Sequence, residues 1–310
     1  MSQALALTED RRRSTGESHQ ALFPLLTEPG FPLTIPAARH PEQAQLEADL
    51  FLACCKIGGL SKHPLGIVQV HPTDDQLTLR LLAEPYVLHY WAEFLMPRPN
   101  PDSDASHPCD KIIGVPGLRY RCGNSSICLY RPGMPANIVL TGFNPRWWER
   151  IIGRLAPDYG LFNDEPGWTS LESAAYSAAL TLPFEPPSLF SPLLRRICAT
   201  AGPGPINATD AWSSMGGIRL ETTDGPPCPD LIRLVGHGPT GLGWQVERKR
   251  CTCLCDHPHG DVGCNITFRE PSTGKLVYYS NGKWGRTLDD PRRREDIAEM
   301  NQAAFSRIRY

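Results

Sequence analysis

Residues 251–264, with the sequence CTCLCDHPHGDVGC, concentrate side chains that bind metal ions. Four of these fourteen residues are cysteines, two are histidines and two are aspartates. Cys251, Cys253 and Cys255 are separated by single residues, so on an extended strand their side chains would leave the same face. A proline and two glycines downstream allow the chain to bend back and to bring Cys264 toward them.

This spacing predicts a structural zinc site, because tetrahedral Zn²⁺ prefers four nitrogen or sulfur ligands. The predicted ligands are Cys253, Cys255, His259 and Cys264, with His257 or Cys251 as substitutes for the histidine. The alternative is that the cysteines pack as small apolar side chains on the inner face of a strand.

A catalytic metal site is a second interpretation of the same stretch. Residues 257–261, HPHGD, match the first part of the His-x-His-x-Asp-His signature of metallo-β-lactamase-like hydrolases. Val262 stands where the last histidine of that signature belongs, and no histidine follows His259 to supply the downstream ligands. Residues 236–241, GHGPTG, satisfy the dinucleotide pattern G-x-G-x-x-G, but a strand-like alternation follows them instead of a helix. We therefore predict that the protein is not an enzyme.

The composition is that of an ordered, loop-rich globular protein. Hydrophobic residues make up 41% of the 310 residues, and the 31 prolines and 27 glycines predict long irregular connections. A net charge of −2 argues against non-specific binding to nucleic acids or membranes. No apolar run approaches the roughly 18 residues of a membrane-spanning helix. The eleven cysteines, without a recognisable secretion signal, indicate thiols in a reducing compartment, where clustered cysteines usually bind metal.

The first half of the chain is predicted to hold a disordered arm, residues 1–40, and an α+β module, residues 41–160. Pro41 opens a helix that runs to about residue 57. Segments 66–70, 76–82 and 137–143 have the composition of strands, and the sequence PTDD predicts a turn that joins the first two. Asn144 followed by proline predicts the start of a further helix, whose buried face is expected to be Trp148, Ile151, Ile152 and Leu155.

The second half, residues 161–310, is predicted to be another α+β module that contains the Cys/His cluster. Thr169 and Glu172 form a capping-box pattern, and a second helix is expected from Ser191 to Gly202. After a Gly/Pro/Ser-rich connection, strands are expected at 230–235 and 243–250, then a β-meander with a turn at Asn281-Gly282, then a helix from about 290 to 308. The predicted fold class is α+β: a loop-rich mixed fold with a zinc-stabilised C-terminal β-meander and flanking helices. Both halves show a similar order of elements, which raises the hypothesis of a degenerate duplication.

The cysteine stretch resembles the early-region-four 34-kilodalton protein family of adenoviruses. That family carries a Cys-x-Cys-x-x-Pro segment that is closed by another cysteine and follows a hydrophobic strand with a nearby tryptophan. The matching residues in this chain are Cys253, Cys255, Pro258, Cys264 and Trp244. The resemblance covers residues 230–300, and it departs from the family at Thr252 and Leu254, where the family has histidines.

This resemblance implies a non-enzymatic viral early protein that acts through host proteins in the host nucleus and cytoplasm. Members of the family recruit a cullin-type ubiquitin ligase through elongin-binding helices and present host targets for degradation. An elongin-binding box needs an apolar residue, three spacers, a cysteine, three spacers and a small or aliphatic residue. Leu194, Cys198 and Gly202 have this spacing, although an ordinary amphipathic helix with a buried cysteine would show it too.

Two other classes of function remain open from the sequence. The basic segment 247–250, ERKR, lies next to the predicted zinc site and would suit a zinc-containing nucleic-acid-binding protein. A metal-dependent hydrolase with an unfamiliar site is the less favoured alternative. Salt-dependent binding of DNA or RNA would distinguish the first class, and an open metal position in a cleft would distinguish the second.

Overall fold

The computed structural model describes residues 3–27, 33–55, 61–101, 107–162, 165–181, 187–202, 207–214, 217–223, 225–236, 240–251 and 264–282. These residues form a mixed α+β structure, which confirms the predicted class. None of the described helices combines the length and the apolar character that crossing a membrane requires.

Eight α-helices and twelve β-strands follow one another along the described residues. In chain order they are α1 (Gln3–Thr15), α2 (His19–Thr27), α3 (Pro41–Cys54), β1 (Ile67–Pro72), β2 (Leu77–Leu81), α4 (Pro85–Leu95), β3 (Arg98–Pro99), β4 (Ile112–Ile113), β5 (Arg119–Cys122), β6 (Ile127–Tyr130), β7 (Asn137–Thr141), α5 (Pro145–Tyr159), α6 (Ser170–Thr181), α7 (Pro187–Leu194), β8 (Ala208–Ser214), β9 (Gly217–Thr223), α8 (Cys228–Gly236), β10 (Gln245–Cys251), β11 (Cys264–Arg269) and β12 (Leu276–Gly282).

Two five-stranded sheets have the same topology. The first has the order β1-β2-β7-β6-β5, and the second has the order β8-β9-β12-β11-β10. In each, an antiparallel hairpin is followed by a helix and then by a three-stranded antiparallel meander. The last meander strand runs parallel to the second hairpin strand in both cases: β7 beside β2, and β12 beside β9. This equivalence is what a duplication of one unit would leave, and it supports that hypothesis.

The helices that precede the two hairpins join the halves. α3 and α7 pack against each other, and the rings of Phe51 and Phe190 lie 6.0 Å apart between them. At their contact, Arg195 donates from Nε and Nη2 to the carboxylate of Glu47, at 2.8 and 2.6 Å. Both side chains are fully buried, and Ser191 and Gln43 donate further hydrogen bonds to the same carboxylate. A buried charge is costly unless it is paired and hydrogen-bonded, and this pair meets both conditions.

Several elements form where local sequence predicted them. α3 begins at Pro41, and the strands expected at 66–70 and 76–82 correspond to β1 and β2. Asn144 caps α5 by accepting a hydrogen bond from the backbone N–H of Arg146, at 3.0 Å. Thr169 and Glu172 make the reciprocal capping-box bonds at 3.1 and 2.9 Å. Caps are specified by residues a few positions apart, which is why sequence alone finds them.

The N-terminal arm differs from its prediction. Residues 3–27 form α1 and α2 instead of a disordered arm, and α1 packs against β1 and α8. The charged segment that indicated disorder is tied into the body, because Arg13 pairs with Asp230 of α8 at 2.8 Å and the buried pair of Arg11 and Glu17, at 2.7 Å, lies against β1. Glu17 also bonds His71 of β1, at 2.8 Å. Glu17 and His71 are 54 positions apart in the chain, so the composition of the arm alone could not predict their contact.

Three predictions in the second half are wrong. Residues 230–235 lie in helix α8, since Leu231, Leu234 and Val235 are buried at helical spacing. Asn281 and Gly282 continue strand β12 and pair with β9 instead of forming a turn. The supposed long connection after Gly202 contains the hairpin of β8 and β9. The predicted terminal helix, residues 290–308, lies outside the described residues.

The contacts of α6 also bear on the predicted division at residue 160. α6 packs on β4 and on the 3-10 turn Pro108–Lys111, and its Glu172 pairs with Arg119 of β5. These contacts place residues 165–181 with the first sheet, although they follow the predicted boundary.

Candidate functional site

The cysteine stretch lies at the tip of an antiparallel strand pair. Cys251 ends β10 and Cys264 begins β11, and the two residues are directly opposite each other in the register. The stretch is therefore the connection between two paired strands, with a cysteine at each end of it. Of the predicted metal ligands, Cys253, Cys255 and His259 lie outside the described residues, as does the substitute His257.

Cys264 is the predicted ligand that the structure describes, and it is buried, with 6% exposure. Cys264 lies opposite Asn281 of β12, and the same row of the register continues through Thr222 of β9 and Thr209 of β8. All three of these polar residues are buried. The row just below the corresponding tip of the first sheet is apolar throughout: Ile127, Leu140, Leu79 and Val70. The second sheet thus departs from the first in placing polar atoms beneath the cysteine-bearing tip.

Hydrogen bonds hold this polar row in place. Thr222 Oγ1 lies 2.7 Å from the hydroxyl of Tyr279, and it also donates to Asn281 Oδ1 at 3.1 Å. The backbone N–H of Gly225 donates to the same Oδ1 at 2.9 Å. A side chain at position 225 would meet all three groups, since a Cβ there would lie 2.3 Å from Thr222 Oγ1. The row is therefore rigid and closely packed.

A further cysteine, Cys228, lies near this row, and sequence reasoning did not single it out. It is the first residue of α8, it is fully buried, and it follows a segment that is bonded to Asn281. Burial raises the pKa of Tyr279; the hydrogen bond with Thr222 opposes that shift, and the nearby Cys228 and Cys264 add to it. The two buried thiols thus contribute to the raised pKa of one tyrosine hydroxyl below the tip.

The donor chemistry of this region fits a zinc site, although the described residues do not complete one. Thiolates are preferred Zn²⁺ ligands, and the register brings two cysteine positions together at the ends of the connection. Within the described ranges, no group of three or more His, Cys, Asp or Glu residues could hold a metal ion.

Of the predicted partner-binding residues, Leu194 lies in the interior and Cys198 is half-buried. Leu194 is fully buried, and Cys198 packs against the backbone of Ile67 and Val68. The expected single helix from Ser191 to Gly202 is instead α7 followed by a separate 3-10 turn, Ile197–Thr200. The spacing of the elongin box therefore does not fall along one continuous helix face. Its partner-binding role stays a prediction, and such a role would require this segment to move.

The outward face of the second sheet carries a row of side chains of which three are exposed and two, Tyr278 and Thr267, are half-buried. Consecutive partners in the register are Trp212, Arg219, Tyr278, Thr267 and Arg248, one from each strand. Trp212 is 38% exposed, and the guanidinium of Arg219 lies 5.6 Å from the centre of the Tyr278 ring. We refer to Trp212, Arg219 and Tyr278 as the aromatic row. Only the pairing of distant strands assembles it, so the sequence shows no local signal for it.

Carboxylates flank the aromatic row on one side. Asp210 and Glu221 are partners in the next row of the register. Burial raises the pKa of Asp210, the backbone bond to Ala211 opposes the shift, and the charge of Glu221 adds to it. The face therefore combines aromatic rings, an arginine and two carboxylates.

The basic segment 247–250 lies on β10, the edge strand of the second sheet. Residues 245–249 are exposed, and Glu247 forms an ion pair with Arg269 of β11 at 2.5 Å. Charged side chains on an edge strand also discourage pairing with other chains.

Comparison with known proteins leaves the site to be interpreted from its geometry. No family model matches the chain, and no curated protein or solved structure matches it significantly.

Proposed function

We propose that the protein is a non-enzymatic adaptor that acts through protein–protein contacts and uses the aromatic row as a contact surface. The observation that carries this proposal is that the exposed side chains of Trp212 and Arg219 and the half-buried side chain of Tyr278 lie side by side on one sheet. Tryptophan, tyrosine and arginine are the residue types that contribute most to binding energy at protein interfaces.

The sheet makes this surface well suited to binding. Each of the three side chains comes from a different strand, and the opposite face of these strands is packed in the core, with Ile218, Leu220 and Val277 buried. A surface held by paired strands loses little conformational freedom when a partner binds. The flanking carboxylates of Asp210 and Glu221 would add selectivity for a partner with basic groups at its rim.

The resemblance to the adenoviral family supports the same class of function. It suggests host proteins as partners, including elongin and a cullin, and a role in the host nucleus and cytoplasm. Recruitment through Leu194 and Cys198 would need the buried Leu194 and the half-buried Cys198 to become accessible, whereas Trp212 and Arg219 of the aromatic row are exposed in the folded chain.

We further propose a structural zinc ion at the tip of the β10–β11 pair, held by Cys253, Cys255, His259 and Cys264. The support is the pairing of Cys251 with Cys264 and the buried polar row below them. Such an ion would close the connection and stabilise the end of the second sheet.

Affinity purification from expressing host cells, read by mass spectrometry, tests the adaptor proposal. The Trp212→Ala and Arg219→Ala variants should lose the partners that wild-type protein captures, with affinity for a given partner reduced about 30-fold or more. Trp147→Ala is the matched control, because Trp147 is a tryptophan of similar exposure, 37%, on helix α5. Capture that is unchanged in the Trp212 and Arg219 variants would contradict the proposal.

Nucleic-acid binding is the second candidate, and the aromatic row is also the observation that favours it. Bases stack on exposed aromatic rings, and arginines neutralise phosphates. The neighbouring carboxylates and the net charge of −2 oppose it. Binding of a single-stranded oligonucleotide that weakens with salt and is lost in Trp212→Ala would favour this candidate over the adaptor.

A further inference from the structure

The outward face of the first sheet carries a depression with a volume of about 560 Å³. Its floor includes Cys128 and Tyr130, which alternate along β6 with residues buried in the core, and Asn137 of β7. Arg121 of β5 and Gln76, just before β2, also border it. Ligand sites in proteins commonly have volumes of about 300–1,000 Å³, so the depression is large enough for a short segment of chain.

One rim of the depression is held in a fixed shape by a tight turn, residues 131–134. The backbone N–H of Met134 donates to the carbonyl of Arg131 at 3.1 Å. Pro132 and Gly133 occupy the central positions, and Gly133 has a φ of +77°. Proline followed by a glycine of positive φ is the signature of a type II turn. The site is thus preformed on this side, which lowers the entropic cost of binding.

The charge of the depression is positive. The charged residues that line it are Arg121 and Arg131. Arg131 is neutralised by Asp49, at 2.6 Å, on the core side of the sheet. Arg121 is exposed, lies 4.3 Å from the centre of the Tyr130 ring, and has no carboxylate partner among the described residues. Its charge acts within the depression: burial raises the pKa of the Cys128 thiol, and Arg121 opposes that shift.

An amide pair borders the same depression, on the far side of β6 from this arginine. Gln76 Nε2 donates to Asn137 Oδ1, which leaves the amino group of Asn137 and the carbonyl oxygen of Gln76 without partners in the described part of the chain. A neighbouring donor and acceptor match the C=O and N–H groups of an extended peptide. A simple anion would use the arginine but not this pair.

We propose that the depression binds an extended acidic segment of a partner protein. A carboxylate of the segment pairs with Arg121, and its backbone bonds to Gln76 and Asn137. The Tyr130 ring and the proline-rich rim pack against its apolar atoms. This surface is separate from the aromatic row, and it shares with the proposed function the premise that the chain acts through protein contacts.

Selection of random short peptides displayed on phage, with the full-length protein as bait, tests this proposal. Peptides that bind the wild-type protein should be enriched in Asp and Glu, and Arg121→Met should abolish the enrichment. Arg146→Met is the matched control, because Arg146 is an exposed arginine on α5, remote from the depression. The affinity of Arg121→Met for the best peptide should be about tenfold or more below that of the wild-type protein. Replacing the acidic residue of the peptide by its amide should lower the affinity of the wild-type protein by the same factor. Gln76→Met should weaken binding of the selected peptides but should leave their enrichment in acidic residues unchanged.

The proposal is overturned if no acidic enrichment is found, or if Arg121→Met selects the same peptides as wild type. It is also overturned if a single-stranded oligonucleotide binds through Arg121 more tightly than any selected peptide. Since Arg121 is exposed, the variant should melt as wild type does, and circular dichroism checks this. Trp212→Ala should leave selection of acidic peptides unchanged, so failure of the aromatic-row proposal and failure of this one are distinguishable.

Discussion

At the scale of single residues, Glu172 shows how one side chain can serve several parts of the structure. Its carboxylate is fully buried and accepts two hydrogen bonds from Arg119, each 2.9 Å long. It also accepts bonds from the backbone N–H groups of Gly117 and Thr169. The capping residue of α6 therefore anchors that helix to β5 and to the turn before it.

Glu172→Gln should destabilise the protein by about 3–5 kcal/mol, because it leaves the buried guanidinium of Arg119 without its countercharge. Urea unfolding at neutral pH measures the change in the free energy of unfolding. Glu165→Gln is the matched control, and as an exposed change it should cost no more than about 0.5 kcal/mol. A loss below about 1 kcal/mol in Glu172→Gln would mean that the ion pair contributes little net stability.

The same residue predicts a dependence of stability on pH. Burial raises the pKa of Glu172, but the bonds and charge of Arg119 outweigh it and hold the pKa below the ordinary 4.5. Glu17 is shifted downward in the same way, by His71 and Arg11 against burial. A carboxyl whose folded pKa is depressed contributes stability that is present above its unfolded pKa and is lost as the pH falls through the folded pKa.

Stability should therefore decline as the pH is lowered from about 5 toward 3. Urea unfolding at a series of pH values should show a shallower decline in Glu172→Gln than in wild type. Parallel curves for the two proteins would argue against a depressed pKa at this position.

At the scale of elements, the segment that contains α7 and the following 3-10 turn acts either as core or as a partner-binding site. Measurements of stability and of elongin co-purification together distinguish these two roles. Leu194→Ala should cost about 2–5 kcal/mol of stability, because it opens a cavity in a packed interior. Replacing Leu194 and Cys198 by serine should unfold the chain if the segment acts only as core. A variant that stays folded by circular dichroism but loses elongin in co-purification would establish the partner-binding role instead.

The β10–β11 connection is the second element with a sharp test. Zinc measured by mass spectrometry of the metal should approach one equivalent in reduced wild-type protein from zinc-supplemented medium, and it should fall in Cys264→Ala. Cys54→Ala is the matched control, because Cys54 is also a buried cysteine but lies in α3. The zinc proposal would be contradicted if the wild-type protein held less than about half an equivalent of zinc and a chelator left its melting temperature unchanged.

At the scale of the whole molecule, two topologically equivalent sheets are joined through α3 and α7. The buried pair of Glu47 and Arg195 lies at that junction, and Arg195 also donates to the carbonyls of Pro36 and Thr73, each at 2.8 Å. One guanidinium thus ties α7 to α3, to the chain that precedes α3, and to the β1–β2 turn. We expect the charges buried between the halves to make the folding of the two halves interdependent.

Arg195→Met should destabilise the protein by about 3–5 kcal/mol, and adding Glu47→Leu should restore part of that loss because it removes the unpaired buried carboxylate. Unfolding followed by tryptophan fluorescence and by far-ultraviolet circular dichroism should coincide in wild type and separate in Arg195→Met. Arg39→Met, which removes an exposed pair with Asp74, is the control and should change little. Coincident transitions in Arg195→Met would show that the halves are coupled by other contacts.

The features that the sequence alone determined depend on residues that are only a few positions apart in the chain. The caps at Asn144 and Thr169–Glu172, the start of α3 at Pro41, and the β1–β2 hairpin were all predicted correctly. The apolar spacing along α5 was read correctly too, since Trp148, Ile151, Ile152 and Leu155 are buried. Each of these features depends on hydrogen bonds or periodicity within one or two turns of chain, so its signal is present in the local residues.

Only the tertiary structure decided which distant segments meet. Residues 230–235 have an apolar run that suits either a strand or a helix, and packing chose the helix. The aromatic row joins β8, β9 and β12, and the depression joins β5, β6 and β7. In both, the outward-facing side chains become neighbours through strand pairing and register, so each strand's own alternation shows which residues face outward but not which residues of other strands lie beside them.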